Sequence, residues 1–370
     1  MASAHLHPDQ PSLTDRLRQR IQAEGPIPFA DFMEAALYDE AEGFYASARV
    51  GGEGDFVTSP SVSPVFGSLV ARQVEEFWEL LDRPVPFSVV ELGAGHGALA
   101  REVLAGLSPS VRSDLEYTAV ERSLEGRKAL SSPDVRVAEG LAEVGSGLVG
   151  CVLANELLDN LPFHRLRGTE EGPVELFVGV AGSEFILVEG PPSSKDLVRL
   201  APDLQPGEER PVSPAALALL DQAITCLRRG YIWVVDYGFV QESSPRSVHG
   251  YRRHRLEEDV LADPGSRDIT SGVDFARLAR HARDRGLTVW GPVSQRDALL
   301  ALGFGDWDRM ARKRQAEAIS ARRGVEALRI YSDRARANLL LRRGGLGDFF
   351  VLCLGVGVGR APMSVARRDS

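Results

Sequence analysis

Two stripes of hydrophobic residues lie within the first 85 positions, each with the spacing of one helix face. The first stripe consists of Phe29, Phe32, Met33, Ala36 and Leu37. The second consists of Phe66, Leu69, Val70, Val74, Phe77, Trp78 and Leu81. Intervals of three and four residues predict amphipathic helices. A loop rich in glycine, serine and proline separates the stripes, so this section is predicted to be a helical cap with one conspicuous loop.

After residue 85 the pattern changes to short apolar runs separated by helix-length segments. The runs are FSVVEL, YTAVE, VRVAEG, CVLANELL, YIWVVDYG, LTVWG and DFFVLCLGVG. This alternation predicts an α/β fold, a mostly parallel sheet with helices on both faces. The last run follows a long helical stretch, so we expect an antiparallel strand there. Alternating apolar residues around a glycine turn predict a β-hairpin over residues 174–194.

Length, composition and charge limit the classes of protein to which this chain can belong. The chain has 370 residues, 44% of them hydrophobic, which suffices for the core of one large domain, or of one domain with inserts. A net charge of −9 argues against nucleic acid as the main partner. Apolar windows are too short for a membrane span, and the N-terminal stretch lacks the apolar segment of a secretory signal. Cys151, Cys226 and Cys353 are far apart in apolar surroundings, which favours buried thiols and a cytoplasmic location.

The strand FSVVEL has an acid, Glu91, near its end. A glycine turn follows it, within the motif ELGAGHGALA. Gly93 and Gly95 fit a Gly-x-Gly-x-x-Ala dinucleotide fingerprint, whereas Glu91 with Gly93, Gly95 and Gly97 fits an S-adenosylmethionine (SAM) loop. A carboxylate at Glu91 suits the methionine ammonium and would repel a pyrophosphate. Glu121, at the end of the next strand, is placed to accept hydrogen bonds from ribose hydroxyls in either case. SAM-binding and NAD-linked interpretations both remain, with SAM favoured.

Polar residues follow the fourth strand, in ANELLDNLPFHRL. The carboxyl ends of parallel strands face the crevice where such sheets bind ligands. Asn155, Glu156 and Asp159 are therefore candidate catalytic residues beside a transferable methyl group. Carboxylates can orient a guanidinium through charge-assisted hydrogen bonds. No histidine pair has metal-ligand spacing with a third ligand, so no metal is expected.

Several separate motifs together resemble the MidA-like family of class I SAM-dependent methyltransferases, which includes the mitochondrial arginine methyltransferase of respiratory complex I assembly. They are GDFVTSPSVSPVFG, ELGAGHGALA, VLANELLDNLPFHRL, VVDYG and GYRRHRLEEDVLADPGSRDITSGVDF. The resemblance spans about residues 26–303 and implies a seven-stranded SAM-binding core, a helical N-terminal cap and an inserted lobe. It implies that Asp55, Phe56, Thr58 and Ser59 form a loop that closes over the cofactor. It also implies that the enzyme methylates a protein side chain, with arginine as the first candidate, and that it is linked to complex I assembly.

The expected organisation is a polar lead-in over residues 1–24, a cap over 25–84 and a core over 85–370, with inserts at about 166–225 and 242–280. One departure concerns the first motif, where the family commonly has an acid and this chain has Ser61. This departure motivates an alternative function, a SAM-binding assembly or scaffold protein without transfer activity. The expected partner is a protein substrate, without nucleic acid and with the oligomeric state left open.

Overall fold

The computed structural model describes residues 11–46, 58–130, 132–202, 204–240, 248–252, 255–257 and 259–366. The chain divides into two compact units. The sheet unit is formed by described residues within 56–159, 217–244 and 272–370, and the lobe unit by those within 1–55, 160–216 and 245–271. The division into lead-in, cap and core drawn from the sequence stays a prediction.

Helices and strands alternate along most of the described chain. The α-helices are α1 Leu13–Glu24, α2 Phe29–Tyr38, α3 Ser59–Val62, α4 Pro64–Leu80, α5 Ala98–Gly106, α6 Pro109–Asp114, α7 Leu124–Ala129, α8 Lys195–Arg199, α9 Pro214–Cys226, α10 Phe275–Asp284, α11 Gln295–Ala301, α12 Phe304–Ser320 and α13 Gly324–Leu339. The strands are β1 Ile27–Pro28, β2 Phe87–Leu92, β3 Leu115–Val120, β4 Val135–Ala138, β5 Leu148–Asn155, β6 His164–Thr169, β7 Gly172–Ala181, β8 Glu184–Gly190, β9 Glu209–Val212, β10 Leu227–Asp236, β11 Gly238–Phe239, β12 Val248–Arg252, β13 Arg255–Glu257, β14 Asp268–Ser271, β15 Val273–Asp274, β16 Thr288–Ser294 and β17 Phe350–Val356. Short 3₁₀ turns lie at Phe44–Ala46, Leu141–Glu143, Leu158–Asn160 and Leu346–Asp348.

The sheet unit is built on a seven-stranded sheet in the order β16-β17-β10-β5-β2-β3-β4. Its strands are parallel except β17, which lies antiparallel between β10 and β16. The predicted α/β class and the antiparallel last strand are both confirmed. The chain runs outward from β2 through β3 to β4, then returns to β5 on the other side of β2. The crevice outside the carboxyl ends of β2 and β5 is therefore the switch point at which such sheets bind ligands.

The core of the sheet unit lies between the sheet and the helix α4. Every residue of the second apolar stripe is buried, which confirms the predicted helix face. Ser63 begins α4 by accepting a hydrogen bond from the Val65 N–H, and a proline follows at the first helical position. Phe77 of α4 stacks on Tyr231 of β10, with ring centroids 4.5 Å apart. The three cysteines are free and buried, as predicted.

The lobe unit contains a sheet in the order β1-β7-β6-β9, with β8 on the remaining side of β7. β7 and β8 form the predicted hairpin, which turns at Gly182 with a φ of 63°. The residues of the first apolar stripe are buried on α2, as predicted. β12, β13 and β14 form a small antiparallel sheet. Among the described helices none is both long and apolar enough to cross a bilayer.

Candidate active site

The glycine turn after β2 holds a backbone shape that L side chains rarely adopt. Gly93, Gly95 and Gly97 have φ angles of 66°, 52° and 73°. All three lie in the left-handed region, where glycine carries no steric cost. The N–H of Gly93 donates to the Val120 carbonyl at 2.9 Å, which fixes the start of the turn against β3. The turn ends where α5 begins, at Ala98.

The three glycines differ in what surrounds them. A Cβ added at Gly93 would lie 2.7 Å from a methyl of Leu157, and one at Gly97 would lie 2.6 Å from a methyl of Leu130. A Cβ added at Gly95 would have no neighbour within 4 Å among the described residues. The outer glycines therefore allow close packing within the protein, while Gly95 borders open space in which a ligand can approach the backbone.

Glu121 follows β3 and places its carboxylate beside the glycine turn. One oxygen accepts the Gly95 N–H at 2.8 Å, and the other accepts the Ser123 N–H at 2.7 Å. The carboxylate is partly buried and keeps further acceptor capacity, because each ionised oxygen can accept two hydrogen bonds. This geometry fits the two hydroxyls of a ribose next to the turn, the role that the sequence suggested for Glu121.

Glu91 points into the sheet unit's core. Glu91 is only 4% exposed. The Tyr117 hydroxyl donates a hydrogen bond to its Oε2 at 2.6 Å. Burial raises the pKa of Glu91 to about 7, and the bond from Tyr117 opposes that shift. The contact with a methionine ammonium stays a prediction. Tyr117, which orients the carboxylate, carried no signal in the sequence.

Asn155 and Glu156 stand at the carboxyl end of β5, next to the switch point. Glu156 has a φ of 52°, unusual for a residue with a side chain, and its N–H donates to the Val235 carbonyl at 2.8 Å. Its Oε1 accepts the Ser59 N–H at 2.6 Å. Burial raises the pKa of Glu156 to about 7. The Oδ1 of Asn155 is buried and has no hydrogen-bond donor among the described residues.

Asp236 is a functional candidate that the sequence analysis did not single out. It ends β10, is fully buried, and accepts N–H groups of Leu157, Leu158 and Tyr237 at 3.0, 2.8 and 2.8 Å. Burial beside Asp159 and Glu156 raises its pKa above the usual range. The bonds fix the backbone that carries Glu156 and Asp159. The available signal was its position, the first polar residue after an apolar run.

Two of the four residues of the predicted cofactor-closing loop lie within the described part of the chain. Asp55 and Phe56 lie outside the described residues, while Thr58 and Ser59 begin α3. Ser59 is fully buried, and its Oγ lies 3.3 Å from Oε1 of Gln295, whose Nε2 donates to the Leu340 carbonyl at 3.2 Å. Ser59 is thus an anchor that joins this segment to Glu156 and to the core. Gln295 gave no signal in the sequence.

The site as a whole suits a nucleoside ligand next to an acidic centre. The glycine turn and Glu121 supply close backbone approach and ribose acceptors, so the residues fit SAM. Glu156 and Asp159 follow β5, and Asp236 ends the neighbouring strand β10, so three carboxyl groups form an acidic centre at this edge of the sheet. No group of three or more His, Cys, Asp or Glu side chains that could hold a metal is found in the part of the chain that the structure describes.

Comparisons with known proteins point to the same cofactor. A sequence profile of the family described as "Putative S-adenosyl-L-methionine-dependent methyltransferase" matches residues 69–293. The chain is 32% identical to the protein arginine methyltransferase NDUFAF7 homolog, mitochondrial, of Drosophila melanogaster, with 80% of this chain and 75% of that protein covered. The human protein arginine methyltransferase NDUFAF7, mitochondrial, is 27% identical, with 82% and 76% covered.

A solved structure resembles the whole fold. The crystal structure of a Burkholderia thailandensis protein bound to S-adenosyl-homocysteine superposes with a TM-score of 0.83 at 27% identity. The superposition covers 97% of this chain and 95% of that one. The predicted cytoplasmic location, in contrast, is wrong by these comparisons, because the relatives from fly, frog and human are named as mitochondrial proteins.

Proposed function

Because the chain belongs to the family of S-adenosyl-L-methionine-dependent methyltransferases that matches it, we propose that it methylates the guanidinium of an arginine in a protein substrate. The family assigns the enzyme class and SAM as the cofactor, so the NAD-linked interpretation is set aside. The protein substrate and the arginine follow from the names of the relatives, which are protein arginine methyltransferases. The observation that carries the proposal is the acidic centre at the end of β5, beside the glycine turn.

Glu156 and Asp159 are the proposed substrate-facing residues. Arginine is always charged in proteins and presents a planar set of donors that matches carboxylates. Two carboxylates three residues apart at the switch point can hold that plane toward the cofactor. The buried Oδ1 of Asn155 receives no hydrogen bond from the described residues. This oxygen can accept one more N–H of the guanidinium. The acidic centre therefore selects a cationic substrate.

SAM supplies an electrophilic methyl group on a sulfonium. The chain's own residues provide position and charge. Gly95 allows the cofactor to approach the backbone, and Glu121 accepts hydrogen bonds from its ribose. Glu156 orients the guanidinium in its ionised form, which exists above its pKa of about 7. Asp236 keeps the backbone of residues 157–158 in place through two N–H bonds.

The direct test is transfer of radiolabelled methyl from SAM to peptides. A peptide with one exposed arginine should be methylated, and the same peptide with lysine in its place should not. Glu156→Gln should lower transfer by at least a hundredfold while leaving SAM affinity within about threefold. Glu184→Gln, a change of an exposed acid in the lobe unit, is the matched control and should have no effect.

Two outcomes would contradict the proposal. Equal methylation of the arginine and lysine peptides would remove the guanidinium as the selected group. SAM binding without transfer to any arginine substrate would favour the alternative of a binding or scaffold role, which the Ser61 departure motivates. In the structure Ser61 is exposed and its hydroxyl donates to the Thr58 carbonyl. The link to complex I assembly stays a prediction, and subunits of that complex are the first protein substrates to assay.

A further inference from the structure

The helices α12 and α13 form a hairpin whose outward face takes no part in the proposed active site. Residues 321–323 join the two helices. Most buried positions of the hairpin are alanines, namely Ala311, Ala318, Ala327 and Ala337. Arg334 of α13 links the helices by donating to Asp308 at 2.9 Å and to Gln315 at 2.8 Å. Apart from Phe304 at the start of α12, the buried side chains of the hairpin are therefore small.

The outward face of α13 carries a stripe of apolar and small residues. Val325 is 88% exposed, Leu328 is 66% exposed and Leu339 is 41% exposed. Ser332 and Ala335 stand between them, so the five positions follow one another at intervals of three and four residues. At 1.5 Å per residue the stripe is about 21 Å long. This is the a/d spacing with which one helix packs along another.

The stripe is flanked by positive charge. Arg329 directly follows Leu328, and Arg336 directly follows Ala335. Both arginines therefore lie along the same border of the stripe. Within the described ranges Arg329 has no acidic partner within 4.0 Å, and Arg336 pairs only with the half-buried Asp333. The hairpin holds nine Arg or Lys against five Asp or Glu, although the whole chain has a net charge of −9. The border of the stripe therefore carries Arg329 without an ion pair among the described residues, and an acidic partner could supply one.

We propose that this face of α13 binds an amphipathic helix of another protein, one with acidic residues beside its apolar seam. A second copy of α13 is a poorer fit. Antiparallel pairing would set Arg329 opposite Arg336, and parallel pairing would bring only Gly324 and Tyr331 beside the arginines. A lipid bilayer is also a poorer fit, because the stripe is one helix wide and has the small residues Ser332 and Ala335 at its centre. Small central residues allow the close approach of a partner helix.

The test uses designed peptides as probes against the full chain. One fluorescent three-heptad peptide carries leucine at a and d and glutamate at e and g, and its twin carries lysine at e and g. Anisotropy titration should show the glutamate peptide binding at least tenfold tighter. Leu328→Gln should weaken that binding at least tenfold, and Arg329→Glu should reduce the preference for the glutamate peptide. Met310→Gln, at a 58% exposed position of α12, is the matched control and should change nothing.

Binding of S-adenosyl-homocysteine by Leu328→Gln serves as the check that the variant is folded, and Leu339→Gln is the second variant. Equal binding of the two peptides, or binding that Leu328→Gln leaves unchanged, would overturn the proposal. A dimer in light scattering that Leu328→Gln dissolves would assign the face to a second copy instead. Co-sedimentation with phosphatidylserine vesicles that the same variant abolishes would assign it to a membrane surface.

Discussion

Replacing Glu156 by glutamine separates the function of this carboxylate from its effect on stability. Burial raises its pKa from 4.5 to about 7. A shift of 2–3 units corresponds to about 3 kcal/mol of differential stability between the two protonation states, at 1.36 kcal/mol per unit. Because the side chain is only partly buried, solvent screening reduces the expected value to roughly 2 kcal/mol. Glutamine keeps an oxygen that can accept the Ser59 N–H, so the change removes mainly the buried charge.

The sign of the effect follows from proton binding. Between pH 4.5 and 7 the folded protein holds a proton at Glu156 that the unfolded chain has lost, so stability falls as pH rises through this range. The Glu156→Gln variant has no carboxyl group at this position, so it lacks this fall in stability with rising pH. Its melting temperature should equal that of the parent near pH 4.5 and exceed it by roughly 2–6 °C at pH 8. Methyl transfer by the parent should rise with pH through about 7, while the variant stays inactive throughout.

Thermal unfolding at a series of pH values checks this prediction, with Glu184→Gln as the control for loss of one negative charge. A melting temperature that falls on Glu156→Gln at pH 8 would refute the reasoning, because the charge would then be stabilised by its surroundings. A difference between the two proteins that does not change with pH would also refute it, since the carboxyl would then titrate alike in the folded and unfolded chain.

Three further predictions concern the cofactor side and the core. Gly95→Val should lower affinity for S-adenosyl-homocysteine at least thirtyfold by calorimetry, because it fills the open space next to the turn, and unchanged affinity would place the ligand elsewhere. Glu121→Ala should weaken SAM binding roughly tenfold or more, and Glu121→Gln less, since the amide retains one acceptor oxygen. Gln295→Leu leaves the buried Ser59 hydroxyl and the Leu340 carbonyl without their partner, so denaturant unfolding should show a loss of about 2–4 kcal/mol.

From the sequence alone one can predict the strands of the sheet, the buried faces of α2 and α4 and the glycine turn after β2. Apolar runs of the right length alternated with helical periods, and such patterns depend only on neighbours along the chain. Gly93, Gly95 and Gly97 were readable because a left-handed backbone admits few other residues. The assignments of Glu121 and Glu156 to the site were made from strand ends alone and stay predictions. The helix α1, with buried Leu13, Leu17 and Ile21, was not predicted, since three apolar residues among many charges give a weak period.

Tertiary structure alone decided how the acidic centre is held. Asp236 comes to residues 157 and 158 because β10 pairs with β5, a contact between positions almost 80 residues apart in the chain. Ser59 reaches Glu156 and Gln295 across still longer separations. Hydrogen bonds of this kind depend on which strands become neighbours and on which side chains are then buried together, and neither is encoded in a local pattern. The same is true of the apolar stripe on α13, whose spacing is visible in the sequence but whose exposure is a result of packing on the opposite face.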